Sequence, residues 1–448
     1  MPARRGRPRA SAALAAGDSR EKLIRAATHL FAQHGFEGVS TTMVAEAAEL
    51  TQPMVHYYFR TKALLWESVV EALVEHRLRT FPLNSNMLVD LDPLSRLKLL
   101  AGLRFEINVV EPHLGMIVLH EVLSESPRLK WLVENYLQPA FQALNATAQA
   151  AMDAGQLRKV SMLNLAFLFS SAGYLSFAFA SVTQRLHALH TDASSDRGAV
   201  RDSFVKALFE GLSPKPRAAS PWRLSLAEPA AAVHTPHHPS HSSHGQRSDG
   251  AEPLDRLMNA GAALFAQHGY AGVTTAMIAE RAGLTQSMVN YYFRSKSRFW
   301  KAVVERLVQE RRVTFPFVST LATDLSPIVR LKMFLRLLIE ANARNPEYGK
   351  IFLQEALARS ERLAWLEEHY LNDTFKAIDT IAAAAVEAGE LMPLPPGHLS
   401  NILISAGYQL FVAPAVMQQI YAIDLRDDAA IASLSDDFIT ILFDGLQP

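Results

Sequence analysis

Cysteine is absent from this sequence of 448 residues. Its absence excludes disulfides, thiolate metal sites and cysteine nucleophiles, and it makes a reducing cytoplasm a suitable location. Glycine is sparse at 21 residues while 49% of the residues are hydrophobic, a composition typical of helical globular domains. The length allows two to four domains, and two domains of about 200 residues fit it best.

A net charge is absent as well, because 44 Lys and Arg residues balance 44 Asp and Glu residues. No global field draws such a chain to a polyanion, so any affinity for nucleic acid must be built locally. One local exception is the segment 1–17, which carries four arginines and no acidic residue. Its string Arg5-Gly6-Arg7-Pro8-Arg9 predicts a flexible arm that fits an AT-rich minor groove, with a disordered solubilising tail as the alternative.

One stretch of the sequence occurs twice. The residues from Thr51 to Phe59 read TQPMVHYYF, and 234 positions later the residues from Thr285 to Phe293 read TQSMVNYYF. An ungapped comparison of residues 31–66 with residues 265–300 gives 23 identities in 36 positions. The chain is therefore an internal duplication, and its two copies are expected to share one fold.

Helix start and stop signals in the first copy predict three consecutive helices. Asp18 or Ser19 can cap the first helix, and Gly35 can end it in a left-handed conformation. Residues 40–42 offer caps for the second helix, and the hydroxyl of Thr51 can cap the third. Two short helices joined by a tight turn, of which the second opens on a polar turn, predict a helix-turn-helix.

These residues resemble the DNA-binding head of the TetR family of bacterial transcriptional regulators. The resemblance rests on the blocks FAQHGF, TTMVA and LTQPMVHYYF with Lys62, and each block recurs with few changes between Phe265 and Lys296. It implies an all-α fold in which a helical ligand-binding and dimerisation region follows each three-helix head. It also implies a glycine between the two short helices, which is Gly283 in the second copy but Glu49 in the first. We therefore expect strain of about 1 kcal/mol in the first turn.

We expect an all-α chain of two tandem TetR-like units that pack as an intramolecular pseudo-dimer, with a homodimer of chains as the alternative. Residues 213–251 change to Pro, Ser, Ala and His without an apolar period, which predicts a linker. Its five histidines lack fixed ligand spacing, so a solvated linker is favoured over a metal site. The expected boundaries are a flexible Arg-rich arm at 1–17, a first DNA-binding head at 18–62, a first regulatory domain at 63–212, the linker at 213–251, a second head at 252–296 and a second regulatory domain at 297–448.

The third helix of each head is the predicted reading helix. Its first turn can read base edges in the major groove while its capping hydroxyl and dipole hold a phosphate. A glutamine there can make a bidentate contact with adenine, and the resemblance implies that the lysine beyond the aromatic end contacts a phosphate. The predicted DNA-contacting residues are Thr41, Thr42, Thr51, Gln52, Pro53, Met54, His56, Tyr57 and Lys62, with Thr274, Thr275, Thr285, Gln286, Ser287, Met288, Asn290, Tyr291 and Lys296 in the second copy. By contrast, Val55, Tyr58 and Phe59 are expected to pack in the core of the head.

The regulatory halves diverge more than the heads. Residues 101–136 share 16 of 36 positions with residues 335–370, and residues 161–182 share only 7 of 22 with residues 395–416. Two different small-molecule pockets, or one working pocket and one vestigial pocket, would both explain this divergence. The candidate pocket residues, for which burial in the core is the alternative, are Phe105, Met116, His120, Phe167, Tyr174 and Phe177, with Ile339, Gln354, Asn401 and Tyr408 in the second copy.

Residues 162–182 form an uncharged run of 21 residues, long enough to suggest a membrane span. The equivalent run of the second copy includes Pro396, His398 and Pro414, which are unfavourable in lipid. A buried helix at an interface explains both runs, so no membrane partner is expected.

The two heads are unequal in charge. Residues 18–82 contain seven Lys and Arg against eight Asp and Glu, whereas residues 252–316 contain nine against five. We expect a cytoplasmic, ligand-responsive repressor that binds an imperfect palindrome in double-stranded DNA, is released by a small-molecule effector, and requires neither cofactor nor metal. The alternative is a helical ligand-binding protein or enzyme with vestigial heads, although the sequence contains no nucleophile elbow, phosphate loop or helical zinc signature.

Overall fold

The computed structural model describes residues 9–80, 91–170, 182, 194–212, 253–314, 325–395, 397–412, 414–422 and 427–446. The regular structure in these ranges is helical, which confirms the expected all-α fold. The helices of the first copy are α1 (Arg9–His34), α2 (Thr41–Ala47), α3 (Gln52–Phe59), α4 (Lys62–Thr80), α5 (Pro93–Val110), α6 (His113–Ser124), α7 (Pro127–Leu132), a π-helical turn (Val133–Leu137), α8 (Gln138–Asp153), α9 (Met162–Ser170) and α10 (Ser194–Leu212). The helices of the second copy are α11 (Pro253–Gly272), α12 (Thr275–Ala282), α13 (Gln286–Phe293), α14 (Lys296–Thr314), α15 (Pro327–Arg344), α16 (Pro346–Ala358), α17 (Glu361–Leu366), a π-helical turn (Glu367–Leu371), α18 (Asn372–Glu387), α19 (His398–Val412), α20 (Pro414–Tyr421) and α21 (Asp428–Leu446).

Helix α1 is longer than its cap signals predict. It begins at Arg9, inside the segment expected to be a flexible arm, because residues 10–16 are rich in alanine, the strongest helix former. Residues 1–8 and the predicted linker at 213–251 lie outside the described residues, so the expectations for them stay predictions. The other end of α1 is as predicted, since Gly35 has a φ of 68° and its amide donates to the carbonyl of Phe31 at 3.0 Å.

Each head packs its short helices around a small apolar core. In the first head, Phe31 of α1 and Val44 of α2 are fully buried, and Val55 and Phe59 of α3 join them, as the sequence predicts. Tyr58 is only partly buried against this core. Burial of one face of α3 leaves the opposite face of this eight-residue helix toward solvent.

The regulatory helices bring the two copies into contact. Helix α10 of the first copy packs along α21 of the second, and α9 packs against α19. Helix α9 covers the start of the uncharged run, and its Leu163, Leu165 and Leu168 are buried. Residues 171–181 of that run lie outside the described residues. Within the described ranges, none of the helices is long and apolar enough to cross a membrane.

The turn between the two short helices has the strained conformation that the sequence predicts for the first copy. Glu49 has a φ of 56° and Gly283, at the equivalent position, has a φ of 64°. The next residue closes each turn in the same way, because the amide of Leu50 donates to Ala45 and that of Leu284 donates to Ala279, both at 2.9 Å. A side chain in this left-handed conformation costs about 1 kcal/mol, so only the first turn carries the strain.

We predict that Glu49→Gly raises the stability of the first head by up to about 1 kcal/mol, because glycine lacks the Cβ that the left-handed conformation disfavours. The greater freedom of glycine in the unfolded chain reduces this gain. Calorimetric unfolding of the full chain measures the change. The matched control, Gly283→Ala, should destabilise the second head. A less stable Glu49→Gly variant together with a more stable Gly283→Ala variant would contradict this account of the turn.

Candidate nucleic-acid interface

The glutamine of each reading helix is held by a residue of the preceding helix. In the first head, Nε2 of Gln52 donates to Oγ1 of Thr41 at 3.2 Å, and in the second head Nε2 of Gln286 donates to Oγ1 of Thr275 at 2.9 Å. Both glutamines are exposed. One N–H of the amide is therefore used to fix its orientation, while the other N–H and the carbonyl oxygen stay available for a base edge.

The threonines that precede the reading helices do not cap them through their side chains, which corrects the sequence-based prediction. Thr51 and Thr285 occupy the N-cap positions, but neither side chain makes a capping hydrogen bond. The third amide of each helix already donates to the backbone carbonyl of its threonine at 3.0 Å, and in the first copy Pro53 removes the amide before it. Oγ1 of Thr285 instead lies 2.8 Å from Oγ of Ser287. The exposed hydroxyls are thereby left for another acceptor or donor, such as a phosphate.

An aromatic side chain extends from the middle of each reading helix into solvent. Tyr57 is 80% exposed and Tyr291 is 81% exposed, values that are unusual for a large ring in a folded domain. Each ring packs edge-on against the tyrosine that follows it, with centroids 5.1 Å and 5.2 Å apart. The ring is thus fixed on one side and open on the other, as a contact to DNA requires.

The remaining predicted contacts lie on the same exposed surface. Nδ1–H of His56 donates to the carbonyl of Arg60 at 3.2 Å, which leaves Nε2 toward solvent. Most of the other predicted DNA-contacting residues are exposed, namely Thr42, Pro53, Thr274, Ser287 and Asn290. Met54 and Met288 are half-buried.

Lys62, for which the resemblance implies a phosphate contact, is bound by the backbone of its own head. Its Nζ donates to the backbone carbonyls of Phe36 and Val39, both at 3.0 Å, and the pKa of this half-buried ammonium is lowered mainly by burial. Two of its three N–H donors are therefore spent on the loop that follows α1. The equivalent Lys296 lies 4.2 Å from the ring centroid of Tyr270, and burial lowers its pKa as well. Both lysines hold the head together instead of extending from it.

A ring with two cations joins the first head to its regulatory region, and we name this set of contacts the joint. Nζ of Lys62 lies 4.0 Å from the ring centroid of Phe36, and the guanidinium of Arg128 lies 3.6 Å from it. Arg128 is held by the buried carboxylate of Glu121, with Nε donating to Oε2 at 3.0 Å, and Ser126 donates to the same oxygen. Burial raises the pKa of Glu121, while Arg128 opposes that shift. The joint connects the loop after α1, helix α4 and the turn between α6 and α7.

The second copy repeats the joint with equivalent residues. The guanidinium of Arg362 lies 3.8 Å from the ring centroid of Tyr270, and Nε of Arg362 donates to Oε2 of the buried Glu355 at 3.0 Å. Ser360 donates to the same carboxylate. A cation over an aromatic face contributes about 0.5–2 kcal/mol depending on its exposure. Each head is thus fixed to its own regulatory region by the same chemistry.

Two candidate pocket residues lie beside the joint of their copy and bind the backbone of the head. Nε2–H of the largely buried His120 donates to the carbonyl of Ala32 at 3.1 Å, and Nε2 of Gln354 donates to the carbonyl of Ala266 at 2.7 Å. Both side chains sit under the glycine that ends the first helix of the head, since a Cβ at Gly35 would lie 3.1 Å from Nδ1 of His120. These residues dock α6 and α16 onto the end of α1 and α11, which corrects their predicted role.

The other candidate pocket residues are mostly packed in the regulatory cores. Phe105 and Ile339 are buried, and Met116 is half-buried. In the second copy, Asn401 accepts a hydrogen bond from Ser405 at 3.3 Å, and Tyr408 is buried with its pKa raised by that burial. The side chain of Phe167 and both Tyr174 and Phe177 lie outside the described part of the chain.

Histidines make the first joint chemically different from the second. Nε2 of His113 at the start of α6 lies 3.0 Å from Nδ1 of His29 on α1. Burial lowers the pKa of His113, and the neighbouring His29 lowers it further. The equivalent positions of the second copy hold Glu347 and Ala263. The first copy therefore has two adjacent histidines where α6 meets α1, and the second copy has none at these positions.

Comparisons with known proteins agree with the repeated head. The family described as bacterial regulatory proteins, tetR family, matches the chain twice, at residues 23–69 and 257–303. The HTH-type transcriptional regulator RutR of Escherichia coli strain K12 is 26% identical over 196 residues, which cover 43% of this chain and 89% of RutR, and RutR of Shigella flexneri matches to the same extent. The crystal structure of HlyIIR, a hemolysin II transcriptional regulator, covers 45% of this chain and 99% of its own, with 18% identity and a TM-score of 0.34. The two separate matches to one head confirm the tandem duplication.

We predict that His120→Gln, which installs the residue of the second copy, makes the chain less sensitive to acid. Burial lowers the pKa of His120 from 6.5 to about 4, so the stability it supports is complete above pH 6.5 and is lost as the pH falls toward 4. At pH 5 the wild-type chain should lose about 1–2 kcal/mol that the variant keeps. Thermal unfolding of both proteins at pH 7.5 and pH 5 measures the difference.

The reciprocal variant Gln354→His is the matched control and should make the second copy acid-sensitive. A wild-type chain and a His120→Gln variant with the same loss of melting temperature on acidification would show that His120 does not titrate at the joint.

Proposed function

We propose that this chain, a TetR family regulator that carries the DNA-binding head of the family twice, binds one imperfect palindromic operator as an intramolecular pseudo-dimer and represses transcription from it. Its relatives are transcriptional regulators and not enzymes. The observation that carries the proposal is the pair of equal reading surfaces. In both copies an anchored glutamine and a tyrosine about 80% exposed lie on a helix of eight residues.

Contacts between the copies support a two-fold arrangement of the regulatory regions. Nδ2 of Asn164 donates to Oδ2 of Asp437 at 3.1 Å, and Ser203 lies 2.8 Å from Nδ1 of His398. Asn164 and His398 are equivalent positions, as are Ser203 and Asp437, since each pair is 234 residues apart. The same two positions therefore contact each other twice, once from the first copy to the second and once from the second copy to the first. A two-fold axis between the copies produces this pattern.

The residues at these positions are complementary across the two copies of one chain. Pairing two second copies from different chains would place His398 against Asp437 on both sides and would lose the ion pair of Arg158 with Asp444, which is 3.2 Å long. Met392 stands at the position equivalent to Arg158. A linker of about 39 residues spans on the order of 35 Å and allows the intrachain pairing. A single chain then presents both heads.

We predict that the protein has the mass of one chain, 49.5 kDa, in solution at every concentration, because its interface forms within the chain. Light scattering across a dilution series from high to low protein concentration measures this mass. The stoichiometry of the DNA complex should be one chain per operator. A mass of two chains, or a mass that rises with concentration, would favour the homodimer with four heads.

Differences between the two reading helices support an asymmetric operator. Pro53 and His56 of the first helix are replaced by Ser287 and Asn290 in the second, and all of these residues are exposed. A good side-chain contact with a base discriminates by about 1–3 kcal/mol, so these replacements are sufficient to give each half-site its own preference. The shared glutamines would read the same base in each half.

We predict that Gln52→Ala and Gln286→Ala relax base selectivity in different halves of the operator. Each variant loses the bidentate contact of one head, which should reduce discrimination at one position about 5- to 150-fold. Selection from a randomised duplex pool, followed by sequencing of the bound fraction, measures the preference at each position.

Gln149→Ala, a substitution on the exposed surface of α8 and remote from the heads, is the control and should select the wild-type sequence. If both head variants selected the wild-type sequence, the anchored glutamines would not be readers. If the wild-type chain enriched no sequence at all, the proposed function itself would fail.

Release by a small-molecule effector completes the proposal. An effector shifts the position of the heads only by as much as it distinguishes the bound and released states. The contacts between head and regulatory region support such coupling, because His120 touches the end of α1 and Arg128 touches the loop that follows it. A ligand that moves α6 would therefore move the first head, and one that moves α16 would move the second.

A further inference from the structure

Both reading helices end in the same unusual turn. Arg60 has a φ of 61° and a ψ of −51°, and the amide of Thr61 donates across it to the carbonyl of Phe59 at 2.6 Å. In the second copy Arg294 has a φ of 61° and a ψ of −27°, and the amide of Ser295 donates to the carbonyl of Phe293 at 2.7 Å. Three-residue turns with a positive φ at the centre are rare and strained, and a side chain there costs about 1–3 kcal/mol.

The backbone of this turn gains nothing from arginine. Glycine adopts a positive φ without a Cβ clash, as Gly283 does in the turn before the second reading helix. Arginine nevertheless occupies the strained position in both copies. A strained residue that recurs at the edge of a functional surface is best explained by its side chain.

Neither arginine side chain has a partner among the described residues of the protein. Both residues are exposed, and within the described ranges no hydrogen bond, ion pair or aromatic contact involves either guanidinium. The lysines two positions later differ in this respect, since Nζ of Lys62 is bound to two carbonyls and Lys296 lies over a ring. The cations left open at the end of the reading helices are thus Arg60 and Arg294.

We infer, on the basis of the function proposed above, that Arg60 and Arg294 bind DNA phosphates that flank the two half-sites. Each lies three residues after the exposed tyrosine of its helix, so the guanidinium is close to the surface that faces the groove. Guanidinium groups bind phosphate with two parallel N–H donors, which a lysine cannot reproduce. The strained turn holds the arginine beyond the last residue of the helix, where the backbone of the duplex passes a helix inserted in the major groove.

The test is the double variant Arg60→Gly with Arg294→Gly. Glycine removes the charge and relieves the turn, so the melting temperature should stay equal or rise while affinity for DNA falls. Loss of each phosphate contact should lower affinity about tenfold at 0.1 M salt and reduce the slope of log K against log salt by about 0.9. Binding titrations at several salt concentrations, with a duplex selected by the wild-type chain, measure both quantities.

Two further variants distinguish a phosphate contact at this turn from a general effect of surface charge. Arg60→Lys with Arg294→Lys keeps the charge and should keep the salt slope. Lys130→Ala removes an exposed cation of the regulatory region, whose side chain is 74% exposed, and should leave affinity and slope unchanged. If the double glycine variant bound the duplex with the wild-type slope, or if it melted at a lower temperature, the inference would be overturned. If the wild-type chain selected no duplex, the proposed function would fail first.

Discussion

The aromatic ring between two cations is the contact on which the rest of each copy depends. A head of three helices buries too little apolar surface to fix its own position, because α2 and α3 are seven and eight residues long. Phe36 of the loop after α1 supplies the ring, Lys62 ties that loop to α4, and Arg128 ties it to the regulatory helices. The carboxylate of Glu121 is buried, which is tolerable because Arg128 and Ser126 both donate to it. Removing Arg128 would leave the buried carboxylate of Glu121 without its charged partner.

Much of the head could be predicted from sequence because its signals are local. The caps at Ser40 and Thr274, the left-handed end at Gly35 and the strained Glu49 each depend on residues within one or two turns. The joint could not be predicted in this way, because Lys62 reaches a carbonyl 26 residues earlier and His120 one 88 residues earlier. From sequence alone, a lysine beside a reading helix is interpreted as a phosphate ligand. A histidine on an apolar helix is likewise interpreted as a pocket residue, because its distant partner is not known.

The prediction that threonine side chains cap the reading helices was wrong for a different reason. Thr51 has the right residue type and the right backbone conformation, so the pattern predicts its position correctly. Its hydroxyl has no amide to accept from, because one amide is engaged by a carbonyl and the other is missing in Pro53. The three-residue turn at Arg60 could not be predicted because the sequence carries no signal for it. Its sequence, FRT, contains no glycine or asparagine that would indicate a positive φ.

Fusion of two copies changes which interfaces are available to the protein. In a homodimer every substitution appears twice, so the contact between two positions must use the same pair of residues in both directions. Within one chain, Asn164 can meet Asp437 while the equivalent pair becomes His398 and Ser203. The interface then favours pairing of unlike copies over pairing of like copies, since part of its complementarity exists only between unlike copies. The same freedom extends to the joints, where His120 and Gln354 perform one docking role with different responses to acid. Asymmetry at the reading helices is thus one instance of a divergence that runs through the interface, the joints and the heads together.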